Sequence, residues 1–190
     1  MQSLRVKLAV GVIVVGGAGI GTAAIAHDRA RFNASLIGYE EVPAISTDAN
    51  GTLEAQISRG SDEIRYTLVY NGPFNNAPAG TVTQSHIHIG QKGVSGGISV
   101  FLCGTPGFQP PAPTPAPPVC PPPGTPVSGV LTPANVIGPS TQGVAPGEFA
   151  ELVRALRAGV TYANVHTTTH PAGEIRGQIS GDDHGEGRGH

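Results

Sequence analysis

Leu53, Ala55 and Ile57 alternate with Thr52, Glu54 and Gln56, and a few residues on Ile64, Tyr66, Leu68 and Tyr70 repeat the same beat. A period of two puts every apolar member on one side of an extended strand and spreads it around a helix, so the pattern selects half-buried β-structure. Runs of the same kind cover Phe32 to Ile37, Val82 to Ile89, Ile98 to Cys103, Val127 to Leu131, Thr161 to Thr167 and Glu174 to Ile179. Asn50-Gly51 and Arg59-Gly60-Ser61-Asp62 supply turn chemistry on either side of the first strand, which predicts an antiparallel meander. The expected fold is all-β, an antiparallel β-sandwich or barrel of about eight strands. One short helix interrupts it: Pro146-Gly147-Glu148 leads into Phe149, Leu152, Val153 and Leu156 at helical spacing, and Gly159 ends the run.

The chain ends read differently. Arg5 and Lys7 precede a charge-free, Gly-rich stretch from Leu8 to Ile25 that closes on Ala24-Ile25-Ala26, the plan of a secretory signal peptide over residues 1–26. A spanning helix needs about 20 predominantly apolar residues, and five glycines between Gly11 and Gly21 weaken this one, so a membrane role requires that the segment be retained as an anchor. Cleavage leaves nine basic against thirteen acidic residues, a net charge of −4 that offers no broad basic surface to nucleic acid. Residues 27–181 then form one domain, and the polar, Gly-rich residues 182–190 read as a disordered tail.

With no Trp and five Phe, the core rests on aliphatic side chains, and a staple helps. Cys103 and Cys120 are the only cysteines, and in an exported chain an isolated pair is expected to be bridged. Eleven of the residues from Gly104 to Pro126 are proline, which predicts an extended polyproline loop rather than packed sheet. Closing a loop of this length contributes about 3 kcal/mol in the chain-entropy picture, less where prolines already restrict the unfolded chain.

His86-Ile87-His88 and the later His166 and His170 hold four of the seven histidines in two strand-like segments. On the first strand Gln84, His86 and His88 share one face and Ile87 and Ile89 the other; on the second, Tyr162, Asn164 and His166 oppose Ala163 and Val165. Taking the isoleucines, alanine and valine as core contacts turns the imidazoles outward together. Alternate strand residues lie about 6.5 to 7 Å apart, close enough for two rings to lean toward one ion at about 2.0 Å from each nitrogen. His86, His88 and His166 are therefore candidate ligands for copper or zinc, with His170 a fourth ligand or a supporting group in the turn before Glu174. The four-residue spacing of His166 and His170 is that of a zinc-protease helix, but Thr167 stands where its glutamate would be and Pro171 discourages helix.

These segments together resemble the CHRD domain, first described in chordin: Phe32-Asn33-Ala34-Ser35-Leu36-Ile37-Gly38, Glu40-Glu41-Val42-Pro43, His86-Ile87-His88, Tyr162-Ala163-Asn164-Val165-His166-Thr167, His170-Pro171 and Gly173-Glu174-Ile175-Arg176-Gly177-Gln178. The resemblance runs from about Phe32 to Ile179, with Ile89 and Ala172 where the family usually has glycine. It implies an extracellular β-sandwich, which in chordin belongs to an antagonist of secreted growth factors, so an extracellular protein partner is one expectation. A looser likeness, confined to His86, His88 and His166, is to copper-zinc superoxide dismutase and implies a copper enzyme, although its bridging histidine and zinc cluster have no clear counterpart. The alternative to a metal-binding module is a metal-free structural or protein-interaction module, in which Glu174 and Arg176 pair on a strand face. Gly93-Val94-Ser95-Gly96-Gly97 matches a hydrolase nucleophile pattern, but a strand follows it where a helix is required. No catalytic set emerges.

Overall fold

The computed structural model describes residues 30–74 and 82–182, so the expected signal peptide and the tail from residue 183 onward lie outside the described residues. Among the described residues, nine strands and one α-helix follow in order: β1 Arg31–Ile37, β2 Asn50–Ile57, β3 Ile64–Asn71, β4 Val82–Ile89, β5 Ile98–Gly104, β6 Val127–Leu131, α1 Phe149–Arg157, β7 Thr161–Thr167, β8 Ile175–Gln178 and the short β9 Ser180–Gly181. They form one antiparallel sheet in the order β5-β4-β7-β8-β1-β2-β3-β6, with β9 on β1. The sheet curls until its edge strands β5 and β6 come into contact, and the Tyr66 hydroxyl on β3, next to β6, donates to the Leu102 carbonyl on β5 at 2.6 Å.

The alternation of β1, β2 and β3 holds residue by residue. Phe32, Ala34, Leu36, Leu53, Ala55, Ile57, Ile64, Tyr66, Leu68 and Tyr70 are buried in one core, which the helix stripe of Phe149, Leu152, Val153 and Leu156 joins. Burying such side chains stabilises the fold by roughly 1.5–3 kcal/mol each before chain entropy is counted. The meander of β1, β2 and β3 is also as expected, but Asn50-Gly51 is no turn. Both residues lie within β2, paired to Ile37 and Leu36 on one side and to Asn71 and Tyr70 on the other. A strand flanked by two partners outweighs the turn preference of a dipeptide.

Cys103 and Cys120 are joined by a disulfide. The proline-rich stretch between them is not uniformly extended as expected: it turns twice, with Phe108 N–H donating to the Thr105 carbonyl and Thr114 N–H to the Pro111 carbonyl. It returns to the end of β5, where Gly104 N–H donates to the Pro118 carbonyl and Cys120 N–H to the Gly104 carbonyl. The bridge fits an oxidising compartment. Asp182, assigned to the tail, is tied down: its N–H donates to the Arg31 carbonyl, and Asn33 donates to its carboxylate at 2.6 Å. Among the described residues no helix is long and apolar enough to cross a membrane.

Candidate metal centre

The register of β4, β7 and β8 builds the site. Gln84 lies opposite His166, His86 opposite Asn164 and His88 opposite Tyr162; β8 extends the last two rungs with Arg176 and Gln178. Residues directly opposite in an antiparallel pair project to the same side, so this ladder is one continuous polar face.

That face is not the outer surface expected from the alternation. His86 is 2% exposed, His88 7% and Asn164 3%. The loop that follows β4 covers it, held down by side chains remote in sequence. Arg176 donates from Nη2 to the carbonyls of Gln91 and Val94, holding the loop Gly90 to Gly97 across the ladder, and Gln178 donates to the Gly90 carbonyl. Gly96 lies so close to the Ile89 carbonyl that a Cβ there would collide with it. The turn after β7 closes the other end. Sheets usually bury one face on the core and wet the other, but here His86, His88 and Asn164 are dry on the second face while Gln84, His166 and Gln178 are half-buried, and imidazoles withdrawn from water must find partners inside.

A nitrogen-by-nitrogen inventory gives the chemistry. His88 Nδ1 lies 2.9 Å from the Gly96 carbonyl and His166 Nδ1 3.0 Å from the Pro171 carbonyl. A carbonyl only accepts, so each Nδ1 carries the proton and each Nε2 presents a bare lone pair. His86 Nε2 lies 2.9 Å from Gln84 Oε1, which leaves Nδ1 as its inward atom, 3.1 Å from His166 Nε2. One nitrogen from each of His86, His88 and His166 lies within 4.8 Å of the others. His88 Nε2 is buried and has no hydrogen-bond partner. Two ligands about 2.0–2.1 Å from one ion, at a tetrahedral angle, stand about 3.3 Å apart, close to the spacing of the His86 and His166 nitrogens. Outer nitrogens held by oxygen acceptors while inner ones converge is the support that metal-binding imidazoles require.

Burial makes these rings neutral. It pushes His86 far below the ordinary histidine range, with repulsion from His166 and His88 adding to it, and pushes His88 down to about 4 against the opposing Gly96 hydrogen bond. His166 is lowered by burial as well. Neutral imidazole is the form that binds metal. His88 stacks on Tyr162 with centroids 4.7 Å apart, and the Arg176 guanidinium lies 3.3 Å over that ring, near enough for its charge to add to the lowering of His88. Phe101 closes the edge of His86 at 4.7 Å.

The expected surface pair of Glu174 and Arg176 does not form. Both are buried; Arg176 serves the covering loop, and Glu174 takes the hydroxyls of Thr47 and Thr167 at 2.9 and 2.6 Å. Arg176 bears instead on Glu41, whose carboxyl burial raises to about 7 against the lowering effect of that guanidinium. Gly173, with φ at 128°, faces Glu41, and a Cβ there would press on its carboxylate. A carboxyl raised in the fold stabilises below its unfolded value of 4.5, and that stability is lost as pH rises through 7. Glu41→Gln is therefore expected to gain about 1–3 kcal/mol over the parent at pH 8 and nothing at pH 4 in urea unfolding; equal stability at pH 8 refutes the buried carboxyl.

His170 is not in the cluster of converging nitrogens. Its backbone shapes the turn: the carbonyl accepts from Thr167 N–H and Gly173 N–H, and its N–H donates to Thr167 Oγ1. That turn presents the Pro171 carbonyl that orients His166. Gly96, Pro171 and Phe101 escaped the sequence reading, the first two because they act through backbone carbonyls that carry no side-chain signal.

The molecule is thus an antiparallel all-β sheet curled around one core, with a cluster of three histidines on its second face. The family profile of the CHRD domain matches residues 32–179, and the chain belongs to the CHRD domain family. No curated protein and no solved structure matches the chain. The likeness to copper-zinc superoxide dismutase finds no support: no solved structure of that kind matches, and the described residues hold one group of three potential ligands with no second, zinc-type cluster.

Proposed function

We propose that this chain is an exported CHRD-domain binding module, secreted to an extracellular or periplasmic space after cleavage behind Ala26, that holds one copper or zinc ion through His86, His88 and His166. The observation that carries this reading is the buried, partnerless His88 Nε2, whose lone pair is fixed by the Gly96 carbonyl bond on the ring's other side. A buried acceptor left unmade costs about 1–3 kcal/mol, and a borderline ion, for which imidazole is a good ligand, removes that cost. His170 supports the site through its turn rather than through the ion. Elemental analysis of the chain purified without an affinity tag is expected to return close to one copper or zinc per chain; a metal-free protein that also takes up neither ion on addition contradicts the reading.

A metal-free module that meets an extracellular protein partner is the second reading, and one observation favours it. If the Gln84 amide turns its nitrogen toward His86, a proton on His86 Nδ1 reaches His166 Nε2 across 3.1 Å, and His166 passes its own to Pro171, giving a complete polar chain without an ion. His88 Nε2 lies outside that chain.

A further inference from the structure

Resting on the three-histidine reading, we infer that the side-chain oxygen of Asn164 is the fourth ligand of the ion, closing the site to water. Asn164 stands opposite His86 in the ladder, between Tyr162 and His166 on β7, and is 3% exposed. Its Oδ1 lies 3.0 Å from His166 Nε2. With the His166 proton committed to the Pro171 carbonyl, neither atom has a hydrogen to share. Two buried acceptors at that separation repel one another unless a cation lies against both, or unless the amide turns over to donate its nitrogen instead. Asn164 thus reaches toward His166 and is paired in register with His86.

Three imidazole nitrogens and one amide oxygen make a neutral four-donor set from the protein alone. Sites that activate water or exchange a substrate keep a position open, whereas structural sites are closed by four protein ligands. The ion therefore fastens β4 to β7 and does not turn over substrate. The covering loop agrees with this, because Arg176 and Tyr162 secure it to the strands beneath at Gln91, Val94 and Gly96.

Cobalt(II) added to the purified full chain is the probe. The parent is expected to give the intense visible bands of four-coordination, unmoved by added azide. Asn164→Ala is expected to bind cobalt at least tenfold more weakly, with a spectrum that azide now shifts as it enters the vacated position. Asn164→Asp, which preserves shape and oxygen, is expected to fold and to give azide-insensitive four-coordinate bands, and it decides the matter should the alanine variant fail to fold. A parent spectrum that already responds to azide, an alanine variant indistinguishable from the parent, or an aspartate variant with open-site bands overturns the assignment while leaving the three histidines standing. Failure of the three-histidine reading looks different: the parent takes up no cobalt, or a His86→Ala, His88→Ala double variant takes up as much.

Discussion

Arg176→Ala is expected to destabilise the fold by about 3 kcal/mol, which for a domain of this size lowers Tm by about 6–12 °C. Arg176 is 2% exposed and has no exposed role to lose. The substitution leaves the Gln91 and Val94 carbonyls without their donor, removes the cation from above the Tyr162 ring, and strips Glu41 of the nearby charge that opposes its protonation. Each orphaned group carries its own desolvation cost, so the loss exceeds that of a surface ion pair. Arg176→Lys should recover little, because an ammonium cannot lie flat on a phenol while also forking to two carbonyls. The loop from Gly90 to Gly97 should loosen at the same time, and hydrogen exchange of its amides should accelerate. A variant that unfolds within 1 kcal/mol of the parent, with that loop still protected, refutes the clasp.

The second large effect is loss of stability in acid for the chelated protein. Burial holds His88 at about 4 and His86 lower still, against 6.5 in the unfolded chain. Between those values the unfolded chain binds protons that the fold refuses, so the stability present above pH 6.5 is lost as pH falls. His88 alone accounts for up to about 3 kcal/mol by pH 4, since each unit of displacement is worth about 1.4 kcal/mol. Glu41 works in the opposite sense between 4.5 and 7, so the measurement belongs in the Glu41→Gln background. There, His88→Phe, which keeps a flat ring stacked on Tyr162, should lose distinctly less stability than its parent between pH 6.5 and 4. Equal losses in the two proteins contradict a neutral buried His88.

Where a strand buries one face only, its sequence was enough to place it. Phe32, Ala34 and Leu36 on β1 and Ile64, Leu68 and Tyr70 on β3 fall on the core side as their alternation requires, and the helix stripe from Phe149 to Leu156 does the same at its own period. Two cysteines likewise sufficed for the disulfide, whereas the run of prolines did not reveal the turns at Thr105–Phe108 and Pro111–Thr114. The strands of the site obey the same alternation, which brought His86, His88 and His166 to one side, but alternation cannot say whether that side meets water or another layer of chain. The cover depends on Arg176 reaching Gln91, eighty-five positions earlier, and on the Pro171 carbonyl, neither visible as a local pattern. Irregularities in the β4–β5 register, between Ser85 and His86 and again between Ile87 and His88, were equally silent, although bulges of this kind commonly re-aim side chains at binding sites.

The central claim is that three imidazoles from two strands share one ion. Calorimetric titration of zinc or copper(II) into the chelated parent and into the His86→Ala, His88→Ala double variant tests it most directly. One equivalent taken up by the parent and none by the double variant is the predicted result; equal uptake by the two proteins, or none by either, contradicts it.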